Sequence, residues 1–327
     1  MSAVESGRKI NVGLGRESSR GTSVAPTYWI NYLEQDIVQQ AEKASNSSAL
    51  GVLDKNNAAE IMKEFAGGKI SGKVCDRSFG LFLTAAFGAS PSSAQQGSTG
   101  VYDHTFSQSQ SNQPVALTVA VKDTNRDERY AFGSLKSLDL EIAVGDWVKY
   151  SADFISKKPT ASAGNTVAYI AENEFKAKFV TVKIANDVAS LGAAQAIQVK
   201  QGKISVDLGV EEYMAVGTNE PVDFFRKEVE FKGDLTLLYA DNTYRDLALA
   251  DGYKALQITL ENTDVTIGSG AAHPKLVLTF PRVSLSDWGI DQGLSSMVEQ
   301  TIGLMPLYSQ TDGYTWTGVL TNTASSY

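Results

Sequence analysis

Residues 133–156 alternate apolar and polar side chains on both sides of a Gly145-Asp146 pair. Before the pair, Leu138, Leu140 and Ile142 alternate with Ser137, Asp139 and Glu141; after it, Val148, Tyr150, Ala152 and Phe154 alternate with Lys149, Ser151 and Asp153. A period of two is typical of strands with one buried face, and a Gly-Asp pair marks a tight turn. The stretch therefore predicts a β-hairpin whose second face is polar and free to meet solvent, a ligand or a channel.

Alternating runs of the same kind follow through most of the chain. They predict strands at 115–121, 130–132, 177–184, 204–209, 228–232, 235–239, 256–260, 276–283, 298–307 and 314–320. Short helices are predicted at 56–68, where Asn56-Asn57 would cap and Gly67-Gly68 would end the helix, at 79–87, and as one or two turns at 243–250. The Ser-, Gln- and Gly-rich segment 89–113 is predicted to be a loop. The predicted fold class is therefore mainly β, with antiparallel strands and one or two short helices.

Gly, Pro, Ser and Thr residues, which favour turns and loops, suggest how the chain is divided into segments. Residues 1–33 lack periodicity, which predicts an extended N-terminal arm that packs on something through its aromatic end. The candidate assembly residues of this arm are Gly13, Gly15, Gly21, Pro26 and Trp29. Residues 34–327 would form one β domain, with a subdomain break at 157–166. The segment 202–217 resembles 137–147 in pattern, and 228–239 resembles the strand through Tyr150 and Phe154, which leaves an internal duplication open.

Composition excludes several classes of protein. The net charge of −8 argues against a protein that grips nucleic acid through phosphates, because that needs clustered Lys and Arg. The single cysteine, Cys75, excludes an intrachain disulfide framework. The start of the chain has no apolar signal segment, and the apolar run 80–89 is too short to span a bilayer. We expect a soluble protein, made in the cytoplasm, with no membrane partner.

Catalytic groups are few. The two histidines are His104, in the predicted loop and expected to be solvated, and His273, next to a proline. The acidic segment 241–246 lacks the glycine and final glutamate of a calcium loop, and Glu211-Glu212 is typical of a hairpin tip rather than of a glycosidase pair. We therefore expect no enzyme activity and no catalytic, cofactor-binding or metal-binding residues.

Several blocks, taken together and in order, resemble the major tail tube proteins of long-tailed, siphovirus-like bacteriophages. The quoted segments are GLGRESSRGTSVAPTYW, GLFLTAAFGA, PVALTVAVKD, RYAFGSLKSLDLEI, EVEFKGDLTLLYADNTYRDLAL, KALQITLENTDVTIG, KLVLTFPRVSLSDW and LTNTASSY. The segments 40–73 and 89–113 match nothing clearly in that family.

The resemblance implies an antiparallel β-sandwich or barrel core with one or two short flanking helices, in a structural virion protein of the phage tail. Six subunits would close into a ring, and stacked rings would form the tube through which DNA passes without specific binding. The resemblance also implies contacts with tail tip or baseplate, tape measure and tail terminator proteins. The N-terminal arm and the C-terminus would order on assembly as inter-ring contacts.

The residues expected to face the lumen lie on the polar faces of the opening hairpin and of its counterpart in the second half of the chain. They are Asp139, Glu141, Asp153, Asp207 and Glu230, set against Lys149, and such a wall would repel phosphates. Two other classes stand beside a tube subunit. One is a carbohydrate- or receptor-binding β-sandwich module, which would need clustered exposed aromatic residues. The other is a hydrolase on a β scaffold, which would need convergent acid and base groups. The acidic alternation taken alone is also consistent with a solvated outer sheet that lines no channel.

Overall fold

The structure, a computed structural model, describes residues 6–161, 163–250, 252–294 and 297–327. Its strands are β1 Asn11–Arg16, β2 Tyr28–Ile30, β3 Tyr32–Gln35, β4 Val38–Asn46, β5 Ala58–Lys73, β6 Ser92–Gln95, β7 Tyr102–Ser107, β8 Leu117–Lys122, β9 Asp127–Ala143, β10 Lys149–Ser156, β11 Val180–Ala185, β12 Ala196–Ile197, β13 Val199–Asp207, β14 Val210–Tyr213, β15 Asp223–Arg226, β16 Glu230–Leu238, β17 Tyr253–Glu261, β18 Lys275–Asp291, β19 Glu299–Pro306 and β20 Thr317–Asn322. The helices are α1 Phe79–Phe87 and α2 Thr243–Ala248, and short 3₁₀ turns occur at Gly7–Lys9, Ala177–Phe179 and Ala189–Gly192. The predicted mainly β, antiparallel fold with short flanking helices is confirmed.

Strand β9 belongs to two layers. Its first half pairs with β8, which continues to β1 and β2, whereas its second half lies between β10 and β13. The change of partners follows Phe132, whose φ is +61°, and Gly133. A Cβ on Gly133 would lie 2.5 Å from the carbonyl oxygen of Leu117, so this close strand approach requires glycine.

The larger layer, here called the main sheet, contains eight strand positions. Across the sheet these are β3 and β4 end to end, then β5, β10, the second half of β9, β13, β16, β19 and the second half of β18. Among the described residues, no strand pairs with the outer edge of β4 or with the outer edge of 285–291 in β18. The main sheet therefore ends in two open edges.

The chain contains two units with the same topology. In the first, β1 pairs with β8, β8 with β9, β9 with β10, β10 with β5, and β5 with β3 and β4. In the second, β11 pairs with β17, β17 with β18, β18 with β19, β19 with β16, and β16 with β13. A helix follows the same strand in each unit, α1 after β5 and α2 after β16. The fold is thus an internal repeat. The predicted break at 157–166 lies between the two units, and part of it is outside the described residues.

The two units share their irregularities as well as their strand order. Leu135 faces Phe154 in the first unit, and Leu285 faces Leu304 in the second, each exactly 150 residues later. Each pair lies beside a bulge. Two further bulges lie at equivalent positions in the two units. The bulge between Leu117 and Val119 corresponds to the one between Lys254 and Leu256, and the bulge between Tyr32 and Glu34 corresponds to the one between Val199 and Gln201. A bulge interrupts the ladder of backbone hydrogen bonds at one particular residue. A chance similarity of topology does not account for three bulges at equivalent positions.

The duplication corrects the segment pairs suggested by the sequence pattern. Strand β13 corresponds to β3 and β4, and not to β9; β16 corresponds to β5, and not to β10. Alternation of apolar and polar residues is the same in every strand with one buried face, so the pattern alone could not identify equivalent strands.

Helix α1 fills the space between the layers and is buried along its whole length. Phe82 packs on Tyr150 at 4.6 Å between ring centroids, and Phe87 stacks on Trp316 at 3.8 Å. Each large side chain of this kind contributes about 1.5–3 kcal/mol on burial. The helix predicted at 79–87 is confirmed, as is the single helical turn or two predicted at 243–250.

Both ends of α1 are held by groups from other segments. At its N-terminal end the carboxylate of Glu172 accepts hydrogen bonds from the backbone N–H and, at 2.9 Å, from the hydroxyl of Ser78. At its C-terminal end the buried guanidinium of Arg226, from the second unit, donates to the carbonyl oxygens of Ala85 and Ala86. Anions at the N-terminus and cations at the C-terminus complement the helix dipole.

The helix predicted at 56–68 is wrong, because these residues belong to β5. Strand β5 pairs with β4 along its exposed part and with β10 along its buried part. Gly68 does not end a helix; its φ is +151° and a Cβ there would lie 2.6 Å from the Asp36 carboxylate. Pairing with β4 outweighs a helix propensity that differs by only a few tenths of a kcal/mol per residue.

The loop predicted at 89–113 is wrong in part, since it contains β6 and β7. His104, in β7, is fully buried rather than solvated, and its Nε2 lies 3.0 Å from both Asn322 Oδ1 and the Ala324 carbonyl oxygen. Burial lowers the pKa of this imidazole. The C-terminus also packs within the chain, where the hydroxyl of Tyr327 donates to the Arg77 carbonyl oxygen at 2.7 Å. This hydrogen bond holds the last residue against its own chain.

The predicted arm at 1–33 is not extended where the structure describes it, from residue 6 onward. Gly13 and Gly15 lie in β1, between β2 and β8, and Trp29 is buried in β2. A Cβ on Gly13 would lie 2.7 Å from Pro26, and Gly21, with φ +81°, turns the chain over the Phe132 ring. These residues build the smaller layer of the sandwich. A role in assembly for them stays a prediction that nothing in the fold tests.

The buried carboxylate of Glu172 makes stability depend on pH. Burial raises its pKa to about 7 from 4.5, so the folded state holds a proton that the unfolded state releases. We expect the free energy of unfolding to fall as pH rises from about 4.5 to 7, by at most roughly 3 kcal/mol from this group. Urea denaturation of wild type and Glu172→Gln at pH 5 and pH 7.5 measures the effect.

Glu172→Gln should weaken the dependence of the free energy of unfolding on pH in this range. It should not abolish that dependence, because burial also raises the pKa of Glu17 and of Asp76. Glu60→Gln, an exposed carboxylate on β5, is the matched control and should leave the slope unchanged. An identical slope in Glu172→Gln and wild type contradicts the assignment.

Candidate functional site

One face of the main sheet is polar from β5 to β16, and this surface is the polar face. Residues in register on neighbouring antiparallel strands point to the same side, so the alternation in each strand is continued by the next. The polar face consists of Lys69, Ser71 and Lys73 on β5, Lys149, Ser151 and Asp153 on β10, Ser137, Asp139 and Glu141 on β9, Lys203, Ser205 and Asp207 on β13, and Glu230, Lys232 and Asp234 on β16.

The opposite face of the same strands forms the core. Its buried side chains include Ile70, Leu138, Leu140, Tyr150, Ala152, Phe154, Ile204, Val206, Phe231 and Leu235. The predicted hairpin at 133–156 is therefore correct, with strands β9 and β10 joined across Gly145-Asp146. Gly145 has φ +82°, which the turn requires.

The five acids predicted to face a lumen all lie on the polar face. Asp139 is the central one, because Ser151 of β10 and Ser205 of β13 lie beside it. Asp207 stands opposite Glu230, and Glu141 stands between Lys149 and Lys203. The fold thus brings these five side chains onto one surface.

The polar face is not an acidic wall, which corrects the charge expected of it. Lys69, Lys73, Lys203 and Lys232 alternate with the acids, in addition to Lys149. The sequence signal for these lysines was the same period-two alternation, in strands β5, β13 and β16. On β5 no strand is predicted from the sequence at 69–73, and on β13 and β16 the prediction names only the acids.

Direct ion pairs neutralise part of this surface. Lys203 Nζ lies 3.0 Å from Asp139 Oδ2, and the Ser205 hydroxyl donates to the other oxygen of Asp139 at 2.5 Å. Lys232 lies 2.9 Å from Glu230, and Lys136, from the bulge in β9, lies 3.7 Å from Asp153. The hydrogen bond with Glu230 raises the pKa of Lys232. The polar face therefore carries acidic and basic side chains in nearly equal numbers.

The polar face offers no obvious catalytic arrangement. A shallow groove of about 330 Å³ crosses it over Ser71, Asp139 and Glu141, with no histidine or cysteine in its lining. Within the described ranges, no group of three or more His, Cys, Asp or Glu side chains is placed to hold a metal ion. In the same part of the chain, no helix is long and apolar enough to cross a bilayer.

Comparison with known families bears directly on this surface. A family model described as phage tail tube protein matches residues 7–285, which is 279 of the 327 residues. The chain belongs to the phage tail tube protein family. The match starts before β1 and ends within β18, so it includes the first unit and much of the second. No curated protein matches the chain.

Membership in the family makes this phage tail tube protein a structural component of the virion tail. The resemblance stated from the sequence is confirmed at the level of the family. Two of the segments that carried it, GLFLTAAFGA and RYAFGSLKSLDLEI, form α1 and the bend and second half of β9. Helix α1 fills the core and β9 joins the two layers.

The ion pair between Asp139 and Lys203 should contribute little to the stability of the phage tail tube protein. Both side chains are partly exposed, at 32% and 48%, and exposed pairs couple by about 0.2–1 kcal/mol. A double-mutant cycle with Asp139→Asn and Lys203→Gln, followed by urea denaturation, measures the coupling. A value above about 2 kcal/mol would mean that the pair holds the β9–β13 junction together.

Proposed function

We propose that this chain is the major tail tube subunit, and that it self-assembles into closed rings which stack into the tube for DNA. The observation that carries the proposal is the continuous polar face, which runs across five neighbouring strands of one sheet. A curved sheet with a wet face and a packed opposite face is the element from which a water-filled channel is built. The polar face then lines the lumen.

The balance of charges on this face suits the passage of DNA. A protein that neutralises phosphates with free lysines binds DNA in a salt-dependent way, and such contacts would hold the genome in the tube. Here the amino groups of Lys203 and Lys232 are paired with carboxylates, and the chain as a whole carries −8. The lumen would offer water and ion pairs to the phosphates, with weak net repulsion.

The remaining features follow from the same role. The subunit is made in the cytoplasm of the host and acts without a cofactor, a membrane or enzyme activity. Its neighbours in the tail are further copies of itself, the tape measure protein inside the tube, and the tail tip or baseplate and terminator proteins at the ends. Long-tailed, siphovirus-like phages are the source that the sequence blocks favour.

The alternative of a carbohydrate- or receptor-binding module finds less support. Sugar binding on a sheet uses aromatic rings presented together on one face. On the polar face no aromatic ring is presented, because Tyr150, Phe154 and Phe231 point into the core. Trp147, which is partly exposed, lies at the hairpin turn with Lys73 over its ring at 3.8 Å.

A charge reversal at the centre of the polar face tests the lumen assignment. Asp139→Lys with Glu141→Lys changes each chain by +4 and leaves Lys149 and Lys203 beside two new lysines. We expect folding to be weakened by only about 1 kcal/mol, since these are partly exposed sites. Virions should carry tails of normal appearance but deliver DNA poorly, because unpaired lysines bind phosphates.

The matched control carries the same charge change away from the polar face. Asp187→Lys with Glu211→Lys alters two exposed carboxylates, one after β11 and one on β14. Electron microscopy of tails and a plaque assay with encapsidated-DNA release are the measurements. Wild-type delivery by the Asp139/Glu141 variant would place the polar face outside the channel. Failure of the purified wild-type chain to form rings or tubes at any concentration would contradict the proposed function itself.

A further inference from the structure

The junction between the two units shows how one unit receives another. Residues 137–143 of β9, in the first unit, pair antiparallel with residues 201–207 of β13, in the second, so that Leu140 faces Ile204 and Asp139 faces Ser205. This pairing makes one continuous sheet out of two units. It is an edge-to-edge contact, the kind that also joins separate chains.

The same edges occur a second time in the chain, where neither of them pairs with a strand of the described residues. The equivalent of β9 in the second unit is β18, and the equivalent of β13 in the first unit is β3 with β4. These are the two open edges of the main sheet. An exposed strand edge with unpaired N–H and C=O groups is a site for strand addition.

We propose that residues 287–291 of β18 pair with residues 36–40 of a second copy of this chain, in the register of the internal junction. The positions follow from the repeat: residues of β18 lie 150 after those of β9, and residues 36–40 lie 167 before those of β13. Applied to Leu140–Ile204 and Asp139–Ser205, these offsets place Ile290 opposite Ile37 and Gly289 opposite Val38. This inference rests on the proposed ring-forming function and names its interface.

The side chains fit this register on the core side of the sheet. Ile290 and Ile37 reproduce the aliphatic pair Leu140 and Ile204 of the internal junction. Ile290 is partly exposed in the single chain, whereas Leu140 is buried, as expected of a position whose partner strand is missing. On the polar side the register brings Asp291 next to Asp36, whose carboxylate accepts a hydrogen bond from the backbone N–H of Lys69 on β5.

A second, independent pair of surfaces fits the same contact. In the chain, the segment 208–229 of the second unit packs on the first, where Arg226 reaches the end of α1 and Phe224 meets Phe132 at 5.1 Å. The segment at this position in the first unit is the hairpin formed by β4 and the start of β5. This hairpin projects from the sandwich with exposed apolar side chains, namely Leu50, Val52, Leu53, Ile61 and Met62.

Its expected receptor on the neighbouring copy is also apolar and exposed. Helix α2 is the equivalent of α1, yet none of its residues is fully buried, and Leu238, Leu249 and Tyr253 around it are exposed. Covering these residues with the neighbour's hairpin would remove both apolar patches from water. Exposed apolar patches on a folded chain commonly mark sites of contact with another protein.

The duplication bears on the number of chains in the ring. Each chain supplies two equivalent units and eight strand positions of the main sheet. The resemblance implies a ring of six subunits. Because each chain here contains two equivalent units, we expect three chains to supply six units and to close the ring, with an inner barrel of about 24 strands. Barrels of about 16–22 strands already leave a wide lumen, so this barrel is amply open.

Disulfide trapping tests the register and the number of chains together. Cα atoms of paired residues in an antiparallel ladder lie about 4.5–5.5 Å apart, within the range that a disulfide bridges. Val38→Cys with Gly289→Cys, assembled and oxidised with copper phenanthroline, should give covalent oligomers that end at three chains on non-reducing SDS gels. The native thiol of Cys75 is buried and its pKa is raised, so it does not compete.

The control pair is Ser45→Cys with Gly289→Cys. Ser45 is exposed on the same strand but seven residues, roughly 23 Å, from Val38, so it should not be trapped. Tubes that form from the Val38/Gly289 variant without crosslinking would overturn the register while leaving the proposed function intact. A ladder that ends at six chains would overturn the three-chain ring. Absence of any ring or tube in wild type would count against the function.

Discussion

The antiparallel pairing of β9 with β13 is the interaction on which the rest of the structure depends. It fuses two equivalent units into one eight-position sheet and aligns their alternation, so that the charged residues of the paired segments of β9 and β13 fall on one side. A slip of one residue would turn all apolar side chains of one unit to the wet face. The register is held by the Leu140–Ile204 and Leu138–Val206 pairs on the core side. On the polar side, Asp139 is tied to Ser205 and Lys203.

The sequence predicts the parts of this fold that depend on local pattern. Strict alternation predicts β9 and β10 and their turn, and a glycine-bounded apolar run predicts α1. It fails at β5, because residues 58–66 have good helix formers and become a strand only by pairing with β4, a contact that local propensity does not contain. It fails for His104 and for β1 in the same way, since their burial is created by β20 and β8, which are distant in the chain.

The candidate site was predictable in position but not in charge. Alternation predicts that each of the five acids lies on the polar side of its own strand, whereas the order of the strands, which brings these acids and the balancing lysines onto one surface, is revealed only by the structure. Lys203 follows Asp139 by 64 residues, and their contact exists because β13 adds to β9 rather than to its neighbour in sequence. The net charge of a surface formed by several strands therefore depends on the order of the strands in the sheet. The alternation within each strand does not determine that order.

The two units have diverged where their surroundings differ. Helix α1 carries Phe79, Phe82 and Phe87 and is sealed within the chain by segments of both units. Helix α2 carries Tyr244 and Leu247 and is only partly covered. A unit that finds its neighbour in the same chain can bury large aromatics during folding. Under the proposed contact, the second unit would find its neighbour in another copy and would have to remain soluble until assembly, so smaller and more polar contacts are the physically consistent choice there. The proposal therefore accounts for the asymmetry between the helices by covalent linkage on one side of each chain and association on the other.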